Sequence, residues 1–293
     1  MRDTKRENGD SPSSDSIDVA DWAKENQNQA FRSHDYGFGP YGGNPLARIY
    51  TRDSNQQWYP AFGGEFQPGS YSDQRSKRGI ANPAPMGLSG FALTTFILSL
   101  INLGTRGLVE PNLVVGAAYV YGGLVQLLAG MWEMAVGNTF GATALSSYGG
   151  FWISFGIILT PGGFNIIEAY GGATAEFANA FGLYLIGWFI FTFILWVCTL
   201  RSTVAFCSLF LFVWLTFLML GIAHLDNTAG AANVGLVRAG GAFGIIAAFL
   251  AWYNALAGIA DQTNSFFVIP VAHFPWSEKG KDRKQQKDAE KEA

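Results

Sequence analysis

Between residues 81 and 260 long apolar runs alternate with short polar breaks. Six runs carry no charged residue: Ala84–Leu103 (20 residues), Pro111–Trp132 (22), Phe140–Thr160 (21), Phe177–Leu200 (24), Ser202–Ile222 (21) and Ala239–Ala260 (22). An α-helix rises about 1.5 Å per residue and a bilayer's hydrocarbon core is about 30 Å thick, so each run is long enough to cross it. Backbone groups in lipid need partners within the protein, and a helix supplies them within one segment. The short alternating strands of a barrel are absent. The pattern predicts an all-α, polytopic membrane protein with six transmembrane helices spanning residues 81–262.

The flanks differ. Residues 1–80 are rich in Ser, Asp, Asn, Gln and Gly, with aromatics among Gly and Pro from Phe31 to Tyr71. No period of 2 or 3.6 persists, which predicts a disordered cytosolic tail with a short helix near Asp18–Ala30 and serines open to phosphorylation. Residues 263–293 read as a charged cytosolic tail, weakly drawn to anionic lipid through Lys279, Lys281, Arg283 and Lys284.

Charge reinforces this reading. Residues 1–80 hold ten Lys/Arg and eleven Asp/Glu, and residues 261–293 hold six of each. The 180 residues between hold only Arg106, Glu110, Glu133, Glu168, Glu176, Arg201, Asp226 and Arg238. A water-soluble core of that size needs a charged surface, so lipid surrounds it. Arg75, Lys77, Arg78, Arg201 and the Lys279–Lys291 cluster fall on one side when both termini are cytosolic, while Arg106, Glu110, Glu168, Glu176 and Asp226 fall outside, with Arg238 near the outer end of helix six. The start, MRDTKRENGD, lacks a secretory signal's apolar core, so the first spanning helix is expected to direct insertion.

The chemistry of most enzymes has no foothold. Cys198 and Cys207 lie in apolar runs and form no CxxC; His34, His224 and His273 are scattered, without zinc spacing. No phosphate-binding loop and no Ser-His-Asp signature occur. No catalysis, cofactor, metal or nucleic-acid partner is therefore expected.

Polar residues inside the spans carry more information, because an unpartnered polar group in lipid costs several kcal/mol. In helix two, Gln126 and Glu133 are seven residues apart and share a face, with Gly122 or Gly123 and Gly130 on or near it. Two uses fit: an interhelical hydrogen bond with an interfacial carboxylate, or a polar face lining a solute path. Upstream, the stretch ANPAPMGLSGF opens helix one. Asn82 is a good N-cap and Pro83 and Pro85 suit a first turn. That entrance serves either as a plain cap or as a docking point for a carboxylate. In helix six, Gly240, Gly244 and Ala248, beside Ala247, Ala251 and Ala255, form small-residue stripes for close packing within one subunit or between subunits.

The motif Asn82-Pro83-Ala84-Pro85-Met86-Gly87-Leu88 resembles the N-P-A-P-L-G-L signature of the acetate uptake transporter family, with Met86 in place of the usual Leu. The stretches at Tyr121–Gly141, Ser146–Trp152 and Gly182–Phe193 are similar to that family as well, and the likeness runs from Asn82 to Ala260. The long N-terminal tail resembles its fungal branch, which contains acetate and ammonia-export proteins.

The resemblance implies a six-helix, channel-like carrier of small monocarboxylates, often hexameric. It also implies a hydrophobic constriction built from Phe91, Tyr148 and an aliphatic residue of helix five, for which Val213 and Leu215 are candidates. Asn82, Gln126 and Glu133 match polar positions near the family's path. The expected function is proton-coupled or channel-like transport of acetate and other short monocarboxylates, with the dicarboxylate succinate as a further candidate, across the plasma membrane. Ammonia or ammonium export is the alternative, and a signalling or scaffold role carried by the tails is a third reading.

Overall fold

A computed structural model describes residues 81–293 apart from 262, 263, 268, 278, 279, 282, 283, 285–287 and 289–293. The tail helix at Asp18–Ala30, His34 and the rest of residues 1–80 lie outside the described residues. Among the described residues six helices are long and apolar enough to cross a membrane: α1 Ala84–Asn102, α2 Asn112–Ala135, α3 Thr139–Leu159, α4 Ala175–Thr199, α5 Val204–Leu225 and α6 Val234–Ile259.

Side-chain caps set most starts. Asn138 accepts from the Gly141 N–H at 3.0 Å, Thr174 from Phe177 at 3.3 Å, Thr203 from Phe206 at 3.2 Å and Asn233 from Leu236 at 3.2 Å. Each satisfies an N–H that the first helical turn leaves unpaired. At α1, Pro83 already has helical dihedrals (φ −84°, ψ −18°), and Asn82 Oδ1 accepts from the Ala84 N–H at 3.1 Å, so the entrance works as a cap.

Three ends depart from the uncharged runs. α6 begins at Val234, five residues before Ala239, because Asn233 caps it there; Arg238 then lies inside the helix with its side chain exposed. α4 starts at Ala175 and takes in Glu176, an acidic residue suited to a first turn. α2 runs to Ala135 and takes in Glu133, which is fully buried rather than interfacial. α2 also contains a π-helical turn at Val120–Val125, immediately before Gln126.

The helices pack in the order α4–α5–α6–α1–α2–α3. Small residues set the spacing. A Cβ on Gly90 would lie 2.5 Å from the Tyr121 carbonyl oxygen, and one on Gly149 would lie 2.6 Å from the Leu127 nitrogen. The stripe on α6 faces α1 and α5: Ala247, Ala248 and Ala251 are fully buried, and Gly240 and Gly244 abut Leu220 and Ser99. This close approach inside one chain is how helices gain packing energy in lipid, where apolar burial gives no preference for a neighbour over acyl chains. Between α3 and its partners α4 and α5 large rings take over, as in Phe151–Trp188 at 5.1 Å and Phe140–Phe210 at 5.3 Å. The outer surface stays apolar, with Leu113 79% and Leu183 63% exposed.

After α6 the chain returns beneath α5. Val204 N–H donates to the Ala272 carbonyl at 2.8 Å, and Trp276 Nε1–H donates to the Leu200 carbonyl at 2.8 Å. The Tyr253 hydroxyl donates to the Pro270 carbonyl, and Ile269 and Val271 are buried against Ala257 and Ala260.

Candidate functional site

The N-terminal halves of α1, α3 and α5 converge with α2 around a narrow cavity. Leu88 and Phe91 line it from α1, Gln126 from α2, Phe140 and Tyr148 from α3, and Phe206, Leu209 and Phe210 from α5. The centre of a water-sized sphere finds about 20 Å³ there, more than the roughly 10–15 Å³ that one water needs.

Gln126 supplies the amide in this apolar lining. It is fully buried, and neither its Nε2 nor its Oε1 has a protein partner. A buried amide left in that state costs about 1–3 kcal/mol, so its placement at a cavity is a departure from packing for stability alone. The regular helix resumes at Gln126, which preserves the two-turn spacing to Glu133 and puts both on one buried face. Gly122 and Gly130 on this side fit against Thr94 and Ser146, so they admit neighbouring helices rather than open a path.

Tyr148 is the hub of an aromatic layer closing the cavity. Its ring centroid lies 5.8 Å from Phe91, 6.0 Å from Phe191, 6.2 Å from Trp188 and 6.3 Å from Phe210, and stacks on Phe217 at 6.5 Å and 13°. Edge and offset geometries of this kind hold rings by their quadrupoles at about 0.5–1.5 kcal/mol per pair beyond simple burial. The Tyr148 hydroxyl donates to Thr192 Oγ1 at 3.0 Å.

Glu133 does not line the cavity but sits beside it. Asn138 Nδ2 donates to Glu133 Oε2 at 2.6 Å, and Gly141, which the Asn138 side chain caps, is part of the cavity wall. The N-terminus of α3 therefore lies next to a buried carboxylate, where the helix dipole favours negative charge.

Of the residues singled out by sequence, Leu88, Phe91, Gln126 and Tyr148 meet at one cavity. Asn82 is half-buried near Gly258 of α6, its Nδ2 buried without a partner and outside the lining. Pro83, Ala84, Pro85 and Gly87 are buried and Met86 is 43% exposed, so residues 82–87 of the motif build the α1 entrance and its last residue, Leu88, reaches the cavity wall. Val213 is buried in the same cluster as Tyr148, while Leu215 is half-buried and outside it; α5 reaches the cavity through Phe206, Leu209 and Phe210. Sequence reasoning did not pick out Phe140, Phe206, Phe210, Asn138 or Thr192. Two signals existed: Asn138 precedes an apolar run as a cap does, and Thr192 is a lone hydroxyl in FIFTFILW.

The chain is 60% identical over 254 residues to acetate permease A of Emericella nidulans, covering 85% of this chain and 84% of that relative. It is 47% identical over 247 residues to ammonia transport outward protein 2 of Saccharomyces cerevisiae, covering 80% and 85%. The solved structure of the bacterial acetate channel SatP superposes with a TM-score of 0.55 at 30% identity, over 66% of this chain and 99% of that one. The family model described as GPR1/FUN34/yaaH matches residues 62–276, a stretch that includes the entrance motif, the Gln126–Glu133 face and the aromatic layer. A bundle so matched in sequence and in fold belongs to the GPR1/FUN34/yaaH family.

Proposed function

We propose that this chain carries acetate and other short monocarboxylates, with the dicarboxylate succinate as a further candidate, across the plasma membrane, proton-coupled or through a channel-like path. The observation that carries the reading is Gln126: a fully buried residue of the cavity wall, unpartnered on both amide atoms, among lining side chains that are otherwise apolar or aromatic. A carboxyl group is the complement of a free carboxamide, accepting from its N–H and, when protonated, donating to its C=O. The names of the 60%-identical acetate permease and of the bacterial acetate channel support the same substrate class.

The layer of Phe91, Tyr148 and Phe210 supports coupling to a proton. A carboxylic acid titrating like a Glu side chain, near about 4.3, is mostly anionic at neutral pH, and an apolar neck opposes the anion far more than the neutral acid. Asn82 at the entrance and Glu133 beside the cavity complete the polar side of the path in this reading, with Phe91, Tyr148 and Val213 or Leu215 its apolar side. Both termini face the cytosol, as the Lys/Arg balance favours, and the lipid-facing surfaces serve a homo-oligomer, a hexamer by the family resemblance.

The test is labelled acetate uptake at acidic and neutral pH, with and without a protonophore, in cells lacking other acetate carriers. Uptake that depends on the gene, falls with protonophore and is lost in Gln126→Leu supports the proposal. Uptake indifferent to all three ends it. The ammonia-export alternative has the 47%-identical outward protein in its favour, and ammonia release from loaded proteoliposomes without acetate flux would put it first.

A further inference from the structure

Thr192 lies on α4, a helix that contributes nothing to the cavity wall. It is fully buried, and in FIFTFILW it is the lone hydroxyl. Its Oγ1 accepts a hydrogen bond from the Tyr148 hydroxyl, with the two oxygens 3.0 Å apart. The remaining neighbours of Tyr148 are rings: Phe91, Trp188, Phe191, Phe210 and Phe217. So the one hydroxyl in this aromatic layer has committed its only hydrogen to a residue behind the wall.

A phenol that donates elsewhere keeps its oxygen lone pairs and loses its ability to donate. Toward a permeating molecule it is an acceptor only. A neutral carboxylic acid has an O–H to give to such an oxygen. A carboxylate has none; it needs a donor, and past the Gln126 amide it meets in the Tyr148 layer only rings and lone pairs. We infer that Thr192 is a specificity-determining positioning residue: by holding the Tyr148 proton it makes the narrow layer accept the protonated acid and refuse the anion. The inference rests on the monocarboxylate transport proposed above and adds to it the residue that sets which protonation state passes.

Thr192→Val keeps the shape and removes the acceptor, freeing the Tyr148 hydroxyl to turn and donate to an anion. Thr192→Ser keeps the acceptor. The experiment uses full-length protein in liposomes, with labelled acetate as the probe and the uptake of protein-free vesicles subtracted. Two uptakes are compared: one driven by voltage at pH 7, which reports the anion, and one driven by a pH gradient at pH 5, which reports the neutral acid. In Thr192→Val the ratio of the first to the second is expected to rise about tenfold, in line with a hydrogen bond gained by a charged group. Thr192→Ser stays within about twofold of the parent ratio. In a Tyr148→Phe background Thr192→Val shifts nothing further, because the group it acts through is gone; general loosening of the bundle would shift both backgrounds. Thr192→Ala replaces the valine variant if gel filtration shows that the latter does not assemble. An unchanged ratio with intact flux, or an equal shift in the Tyr148→Phe background, overturns the inference and leaves the transport proposal standing. Parent protein giving no flux above empty vesicles overturns both.

Discussion

Asn138 holds Glu133. Its Nδ2 donates to Glu133 Oε2 at 2.6 Å, its backbone N–H donates to the Glu133 carbonyl at 2.9 Å, and its Oδ1 caps α3 at the Gly141 N–H. One carboxamide thus joins the end of α2 to the start of α3 and orients a fully buried carboxylate at both. Replacing it by alanine removes a helix cap and a charge-assisted hydrogen bond together. Asn138→Ala is expected to destabilise the protein by about 2–4 kcal/mol, read as a lower melting temperature in detergent. Asn138→Asp keeps the cap but replaces the donor to Glu133 with a second carboxyl group, so it should also melt below the parent. A melting temperature for Asn138→Ala equal to the parent's would contradict this account.

Gly141 tests the same joint from the other side. A Cβ there would lie 2.9 Å from Glu133 Oε2 and collide with Asn138 Nδ2. Both neighbours are side chains, yet both are fully buried and mutually bonded, so neither has room to yield. Gly141→Ala should cost about 1–3 kcal/mol by overpacking and reduce acetate uptake. Ala144, also on the cavity wall but on the next turn, is the comparison position for a same-sized change to Gly.

Gln126 separates stability from transport. Its two amide atoms are buried without protein partners, so exchanging it for leucine removes a penalty and adds an apolar side chain of similar size to an apolar wall. Gln126→Leu is expected to melt at or above the parent temperature, a gain of up to about 1 kcal/mol, while acetate uptake drops at least about tenfold through loss of the carboxyl's hydrogen bonds. Membrane abundance and uptake measured on the same cells distinguish this from misfolding. Full uptake in the leucine variant would remove Gln126 from the substrate path.

Much of this architecture is legible in the residues, and the gaps have physical causes. Lipid excludes charge over about 20 residues at a time, so six spans stand out without any structure. Their ends do not, since a cap such as Asn233 can start a helix before the apolar run, and a buried partner such as Asn138 lets α2 keep Glu133. The π-helical turn at Val120–Val125 holds Tyr121, whose carbonyl lies close against Gly90 of α1, a tertiary contact that no local pattern displays. The aromatic layer is hardest. α4 and α5 are apolar on every side, so no amphipathic face tells which of their nine phenylalanines points inward. Phe91 and Tyr148 emerge from a family resemblance; Phe206, Phe210 and Thr192 emerge only when α3, α4 and α5 are brought together.

Phe91 bears on which acids pass. It meets Tyr148 at 5.8 Å on the wall formed by α1, and both are at most 7% exposed. Phe91→Ala opens space in that layer at a stability cost of about 3–5 kcal/mol, so Phe91→Leu is the better probe: it shortens the side chain and keeps it apolar. The expected outcome is a broadened substrate range, with uptake of longer monocarboxylates rising relative to acetate in competition experiments. A layer that merely packs the bundle would lower all uptakes in parallel and leave their ratios fixed.

The returning segment after α6 bears on the cavity indirectly. Val204 and Thr203 at the start of α5 pair with Ala272 and His273, and Phe206, Leu209 and Phe210 of the next two turns line the cavity. Val271 is 9% exposed and packs with Ile269 against the end of α6. Val271→Asp would put a charge into that small apolar cluster, and the segment escapes the penalty by leaving it. Two changes are then expected together: faster proteolysis between residues 264 and 277 in detergent, and reduced acetate uptake as the first turn of α5 loses its anchor. Val271→Ala, which shortens the side chain without adding charge, should show both effects weakly. Rapid proteolysis with undiminished uptake would mean that α5 is held by its packing against α4 and α6 and by its ring contacts with Phe140, and that the segment has no influence on the path.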